Sequence, residues 1–180
     1  MTHPSLGALG EEYARTLVDA YELGSNLSIY VVTSEHATAL AELRRRLAGI
    51  ASELHDVVAD ATVVAKLYEL VAAQARCPER PEGTDRPLIW ISQSGFEDVR
   101  WREALALLNQ HRESLRLDLD AMLIVAGPPS VTHLFGDNAP DFYANREGDR
   151  HLSEAPLEVA SSVQSLRWLH LSDFHFSADQ

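Results

Sequence analysis

Cysteine is nearly absent from this 180-residue chain, Cys77 being the only one. One thiol excludes an internal disulfide framework and suits a reducing compartment. Basic residues are also in short supply: 15 Lys and Arg against 27 Asp and Glu give a formal net charge of −12 and a pI near 5.0. Such a surface repels phosphate backbones and anionic lipids on average, so neither nucleic acid nor a membrane surface is an expected partner. No apolar run approaches the roughly 20 residues that span a bilayer. The start, Met1-Thr2-His3-Pro4-Ser5, lacks the basic and then apolar pattern of a secretory signal, so the expected location is cytoplasmic. Internal repeats and low-complexity tracts are missing as well.

What remains is a chain that is 46% hydrophobic, enough to bury one proper core with a short segment attached. Leu6, Leu9, Tyr13, Leu17, Val18 and Tyr21 recur at helical spacing, and Gly24 stops that helix. The β-prone run from Leu27 to Thr33 reads as a buried parallel strand, and Ser34-Glu35-His36 turns it into a helix through about Leu47. A short strand over Glu53 to Val58 and a helix over Ala61 to Ala75 follow. Cys77 to Pro87 holds three prolines and a glycine, which makes it a loop. The next strand is Leu88 to Ser92, and one long helix is expected from about Val99 to Leu117. Ala121 to Ala126 forms another strand, with a short helix to Phe135 and a helical turn over Asn138 to Tyr143. Strands alternating with helices predict an α/β fold, a parallel sheet with helices on both faces in a Rossmann-like or P-loop-like three-layer arrangement.

A first strand turning straight into a helix is the usual frame for a phosphate-binding loop. Thr33-Ser34-Glu35-His36-Ala37-Thr38-Ala39 supplies neither the glycine that lets backbone amides close around a phosphate nor the lysine that neutralises it. Glu35 would repel one. The strand Leu88 to Ser92 ends in Gln93 rather than an acidic metal holder. The pattern of Pro87 to Ile91, then Leu107 to Glu113, then Met122 to Val125, then Ala139 to Arg146 resembles the degenerate P-loop-type α/β modules that precede effector domains in bacterial signalling and conflict systems. The resemblance implies a sensing or docking module and not an ATPase.

Several side chains invite a functional reading and have a plainer one. Arg44, Arg45 and Arg46 fan out about 100° apart on a helix, as a solvated face does. His36, near the carboxyl edge of the sheet, reads as a capping or solvated residue, and Asp56 and Asp60 as solvated acids. Asn109 and Arg112 lie one helical turn apart and are expected to clamp the Ala139 to Arg146 segment through Asp141 or Arg146. Trp90, Trp101 and Phe142 read as core. Gly136 to Asp141 is taken as a turn and helix cap.

Near the C-terminus an apolar strand, Ser165 to Leu171, runs into Ser172-Asp173-Phe174-His175-Phe176. Residues two apart on a strand point to one side, so Asp173 and His175 can present an oxygen and a nitrogen to one ion. Leu169 to Phe176 resembles the first signature of the calcineurin-like metallophosphoesterases. That resemblance implies that Asp173 and His175 ligate one metal of a two-metal centre, with Mn, Fe, Zn or a similar divalent ion in the full-length enzyme. The family's further blocks, Gly-Asp-x-x-Asp, Gly-Asn-His and Gly-His-x-His, do not occur after Asp173, so no tightly bound metal and no turnover are expected of this chain alone. The expected organisation is an α/β regulatory or interaction domain over residues 1–146, a linker over 147–165, and over 166–180 the start of a metallophosphoesterase domain, its natural partner being the catalytic remainder. The alternative is a stand-alone α/β binding module that senses a nucleotide, another small-molecule signal or a protein partner. A nucleotide hydrolase with an atypical loop is the third reading.

Overall fold

The computed structural model describes residues 6–24, 26–75, 86–95 and 97–153. Five strands, β1 (Ser28–Ser34), β2 (Leu54–Val58), β3 (Leu88–Ser92), β4 (Met122–Gly127) and β5 (Gly148–Leu152), form one parallel sheet in the order β2-β3-β4-β1-β5. The central strands are apolar throughout because both faces are covered, which is why they read as continuous runs and not as alternations. Val31, Ile89, Ile91, Ile124 and Val125 have no solvent exposure at all.

Strand alternation sends the odd and even residues of β1 to opposite layers. Ile29 and Val31 pack with Ile89, Ile91, Leu123 and Val125 against α3 (Val63–Ala75), α4 (Asp98–Gln110), α5 (Arg112–Asp118), α6 (Ser130–Asn138) and α7 (Pro140–Ala144). Tyr30 and Val32 pack with Trp90, Ile124 and Ala126 against α1 (Ala8–Leu23) and α2 (Ala37–Ala48). The expected three-layer α/β fold is the one observed, and its architecture is P-loop-like.

Three local readings need correcting. The helix expected over Val99 to Leu117 is two helices that meet at His111, whose backbone (φ −99°, ψ 7°) leaves the helical region. The ring of His111 lies edge-on to Tyr68 of α3, with Tyr68 Oη 3.3 Å from Nδ1, so a tertiary contact sits at the break. Gly136 and Asp137 are not in a turn but in the last turn of α6, where the Asn138 amide donates to Leu134 O at 2.8 Å. The linker expected from residue 147 begins with a strand: β5 runs parallel to β1, pairing Tyr30 with Gly148 through Ser34 with Leu152. As an edge strand β5 buries only Leu152, so its polar sequence gave no hydrophobic signal.

The clamp on α7 is present. Asn109 Oδ1 accepts the Phe142 N–H at 3.0 Å, and Arg112 donates to Asn109 O at 3.0 Å while lying 3.6 Å from Asp141. Trp90, Trp101 and Phe142 are core residues at 3%, 1% and 1% exposure. The arginine run is more than a solvated face. Arg45 and Arg46 both bond the buried carboxylate of Glu42, and Arg46 also reaches Glu11 on α1. This network fastens α1 to α2. Arg44 bonds Asp56 on β2 through two nitrogens, with Nε to Oδ1 at 2.7 Å, so Asp56 is not merely solvated. Asp60 closes the turn into α3 by accepting from the Thr62 N–H and hydroxyl at 2.8 and 2.6 Å.

Candidate functional site

In an open parallel sheet the ligand crevice lies beyond the carboxyl ends of adjacent strands whose outgoing connections diverge. Here those strands are β1 and β4. The chain leaves β1 through α2 towards β2 at one edge, and leaves β4 through α6 and α7 to β5 at the other.

The turn at the end of β1 is only Glu35-His36, and Ser34 ties it shut. Ser34 Oγ donates to Leu152 O at 2.7 Å and accepts the His36 N–H at 3.1 Å. Beside it, Thr33 Oγ1 lies 3.2 Å from His151 Nδ1. His36 occupies the N-cap of α2 without a side-chain capping bond. A two-residue turn with no glycine forms no concave row of amides, so the geometry agrees with the sequence that a phosphate loop is missing.

What the crevice does contain is a cleft of about 380 Å³ on the α2 side of the sheet. The sheet contributes Ser34, Trp90, Ser92, Ala126 and Gly127, and α2 contributes Ala37, Leu40, Ala41 and Arg44. Glu35, Gln93, Gly95 and Pro128 come from the loops that follow β1, β3 and β4. Gly95 has φ +89°, a conformation that glycine adopts at little cost. The volume falls within the usual range for small-molecule pockets, about 300–1,000 Å³.

The polar groups in the lining differ in how far they are committed. The Arg44 guanidinium is held by Asp56, which raises its pKa further. Gln93 Oε1 accepts the Glu97 N–H at 3.0 Å, which fixes the amide's orientation and leaves Nε2 buried with no partner. Among the described residues, the Glu35 carboxylate and the Ser92 hydroxyl also make no hydrogen bond. Among the described residues, no histidine lines the cleft and neither lining serine contacts a base.

Of the residues weighed in the sequence, Trp90 lines this cleft, while His36 and Asp56 border it through their neighbours Glu35 and Arg44. Asn109, Arg112 and Asp141 belong to the α7 clamp. Arg112 also borders a smaller hollow of about 160 Å³ with Leu27, Phe142 and Arg116. Asp173 and His175 lie outside the described residues, as does Cys77. Among the described residues no three His, Cys, Asp or Glu side chains gather to hold a metal ion, and no helix is long and apolar enough to cross a membrane. Sequence reasoning missed Ser92 and Gln93 as lining groups. The available signal was that Ser34 and Ser92 each end an apolar strand, on the same sheet face as Trp90.

No family model matches the chain, and no curated protein does. Among solved structures it is similar to the Aeropyrum pernix ORC2 protein in its ADP form, at 16% identity and a TM-score of 0.46 over 81% of this chain and 47% of that one. It is similar at 12% identity and a TM-score of 0.49 to Drosophila ORC bound to DNA, covering 81% of this chain and 30% of that one. Drosophila ORC bound to GC-rich DNA and Cdc6 matches at 15% identity and a TM-score of 0.47. The chain spans less than half the length of these chains, and likenesses at this level carry no argument about activity.

Proposed function

We propose that this chain is an α/β ligand-sensing module whose ligand enters the cleft beyond β1 and β4 and is bound there without being hydrolysed. The observation that carries this reading is a roomy, largely apolar cleft at the strand switch point, beside a turn too short to cradle phosphates. A hydrolase needs a positioned base or metal, and the lining offers only one free acid, Glu35, on an exposed turn. With Mg²⁺ and ATP the purified protein is expected to release phosphate no faster than buffer. In a thermal-shift screen of small heteroaromatic compounds, those that raise Tm are expected to lose their effect in Ala41→Trp, which fills the cleft from α2. Turnover abolished by Glu35→Gln, or stabilising compounds that ignore Ala41→Trp, would contradict the reading.

The Asp173-Phe174-His175 step supports a second statement compatible with the first, that the module stands ahead of a calcineurin-like metallophosphoesterase domain and regulates it. Calorimetry with Mn²⁺ tests this on the chain itself and on a version extended through the reading frame that follows. Two-site binding by the extended form, weakened by Asp173→Ala, is expected. Equal absence of binding in both leaves a binding module alone.

A further inference from the structure

Resting on the reading of the cleft as a ligand site, we infer the ligand's chemical class: an uncharged nucleoside, or its free base, lying flat between α2 and the sheet. Shape is the first argument. Ala37 and Ala41 on one side and Ala126 and Gly127 on the other are small, and Trp90 adds an aromatic ring to the sheet side. A slot lined in this way admits a planar body and favours an aromatic one.

Charge is the second argument. Among the described residues Arg44 is the only cation in the lining, and it already faces Asp56. The uncommitted acid Glu35 and the chain's net charge of −12 oppose a polyanion. The turn after β1 supplies no amide cradle to offset that repulsion. A triphosphate therefore weakens binding here, where in a phosphate loop it would provide it.

The third argument is the set of free hydrogen-bonding groups. Gln93 Nε2 is a donor without a partner, Glu35 is an acceptor without one, and the Ser92 hydroxyl can act as either. A buried donor left unpaired is unfavourable, and a ligand that accepts from it removes that cost. Nucleobases place donors and acceptors along the edge of one flat ring, the combination this lining lacks.

The test uses N-phenyl-1-naphthylamine, an uncharged fluorescent reporter, on the whole folded chain, with adenosine, guanosine, ATP and inorganic triphosphate as competitors. Adenosine or guanosine is expected to displace the reporter at least about 10-fold more effectively than ATP, since each added phosphate charge meets Glu35 and no cradle. Gln93→Ala is expected to weaken the nucleoside by about 5-fold, the value of one hydrogen bond, and to lower Tm only slightly through loss of the Glu97 N–H bond. ATP or triphosphate competing as well as the nucleosides would overturn the inference. So would reporter binding that is lost in Ala41→Trp but untouched by any nucleoside, an outcome that leaves the cleft a ligand site of another class. Reporter binding identical in wild type and Ala41→Trp would remove both the inference and the reading beneath it.

Discussion

Replacing Gly24 by alanine is expected to destabilise the protein by about 2–4 kcal/mol, the scale set by disturbing a buried charge. Gly24 follows α1 with ordinary extended backbone (φ −79°, ψ 150°), so the penalty does not come from conformation. It comes from space. A Cβ here would sit 2.6 Å from Ala20 O and 2.6 Å from Cζ of Arg86, and closer still to the Arg86 Nη2. Arg86 is 5% exposed, and its guanidinium donates to Asn26 O and Ala20 O, both at 2.8 Å. It thereby fastens the end of α1 and the entry to β1 to the start of β3, and its positive charge meets the negative end of the α1 dipole. Its Nε has no partner, so little margin remains for losing the other bonds. Urea unfolding at neutral pH measures the effect. In an Arg86→Met background the same glycine substitution is expected to cost much less, because the displaced charge is gone, and equal costs in both backgrounds would show that displacing Arg86 is not the source of the penalty.

The second large effect is Glu42→Gln, expected to lose on the order of 2–3 kcal/mol near neutral pH, the linkage value of its pKa shift reduced because Arg45 is half exposed. Glu42 lies on the inner face of α2 at 3% exposure. Hydrogen bonds from Arg45, joined by those from Arg46 and opposed by burial, lower its pKa from 4.5 to about 2. The sign follows from linkage. A carboxyl whose folded pKa lies below its unfolded value adds stability that is complete above the unfolded value and fades as pH falls towards the folded one. Wild-type stability should therefore fall as pH drops from about 5 to about 2, and Glu42→Gln should flatten that part of the curve. The ion pairs that Glu42 makes with Arg45 and Arg46 are partly exposed on the arginine side, so the gap between the curves should also narrow in high salt.

These two sites show how much the sequence could convey. Strand β1, with Ile29 to Val32 in an unbroken apolar run, was legible because burial on both faces leaves one kind of residue there. Strand β5 was not, since Gly148-Asp149-Arg150-His151-Leu152 is held by backbone pairing and by Ser34 and Thr33 rather than by apolar burial. The missing phosphate loop was legible, because a glycine and a lysine are required at fixed places and neither is present. The cleft that replaces it was not. Its lining comes from residues far apart in the chain, Ser34, Trp90 and Ala126 among them, brought together only by the order β3-β4-β1. Buried charge was the hardest to read. Glu42 among three arginines looks like a solvated helix face until α1 packs across it, and Arg86 looks like one more loop residue until Gly24 leaves it room.

The central claim is that ligands enter beyond the ends of β1 and β4, and backbone amide NMR of the folded chain titrated with the uncharged N-phenyl-1-naphthylamine tests it most directly. The expected result is a set of perturbed amides over residues 34–41, 92–95 and 126–127, with the rest of the sheet unmoved. Perturbations gathered instead around Leu27, Arg112, Arg116 and Phe142, at the smaller hollow beside α5, would contradict the account and move the ligand site away from the switch point.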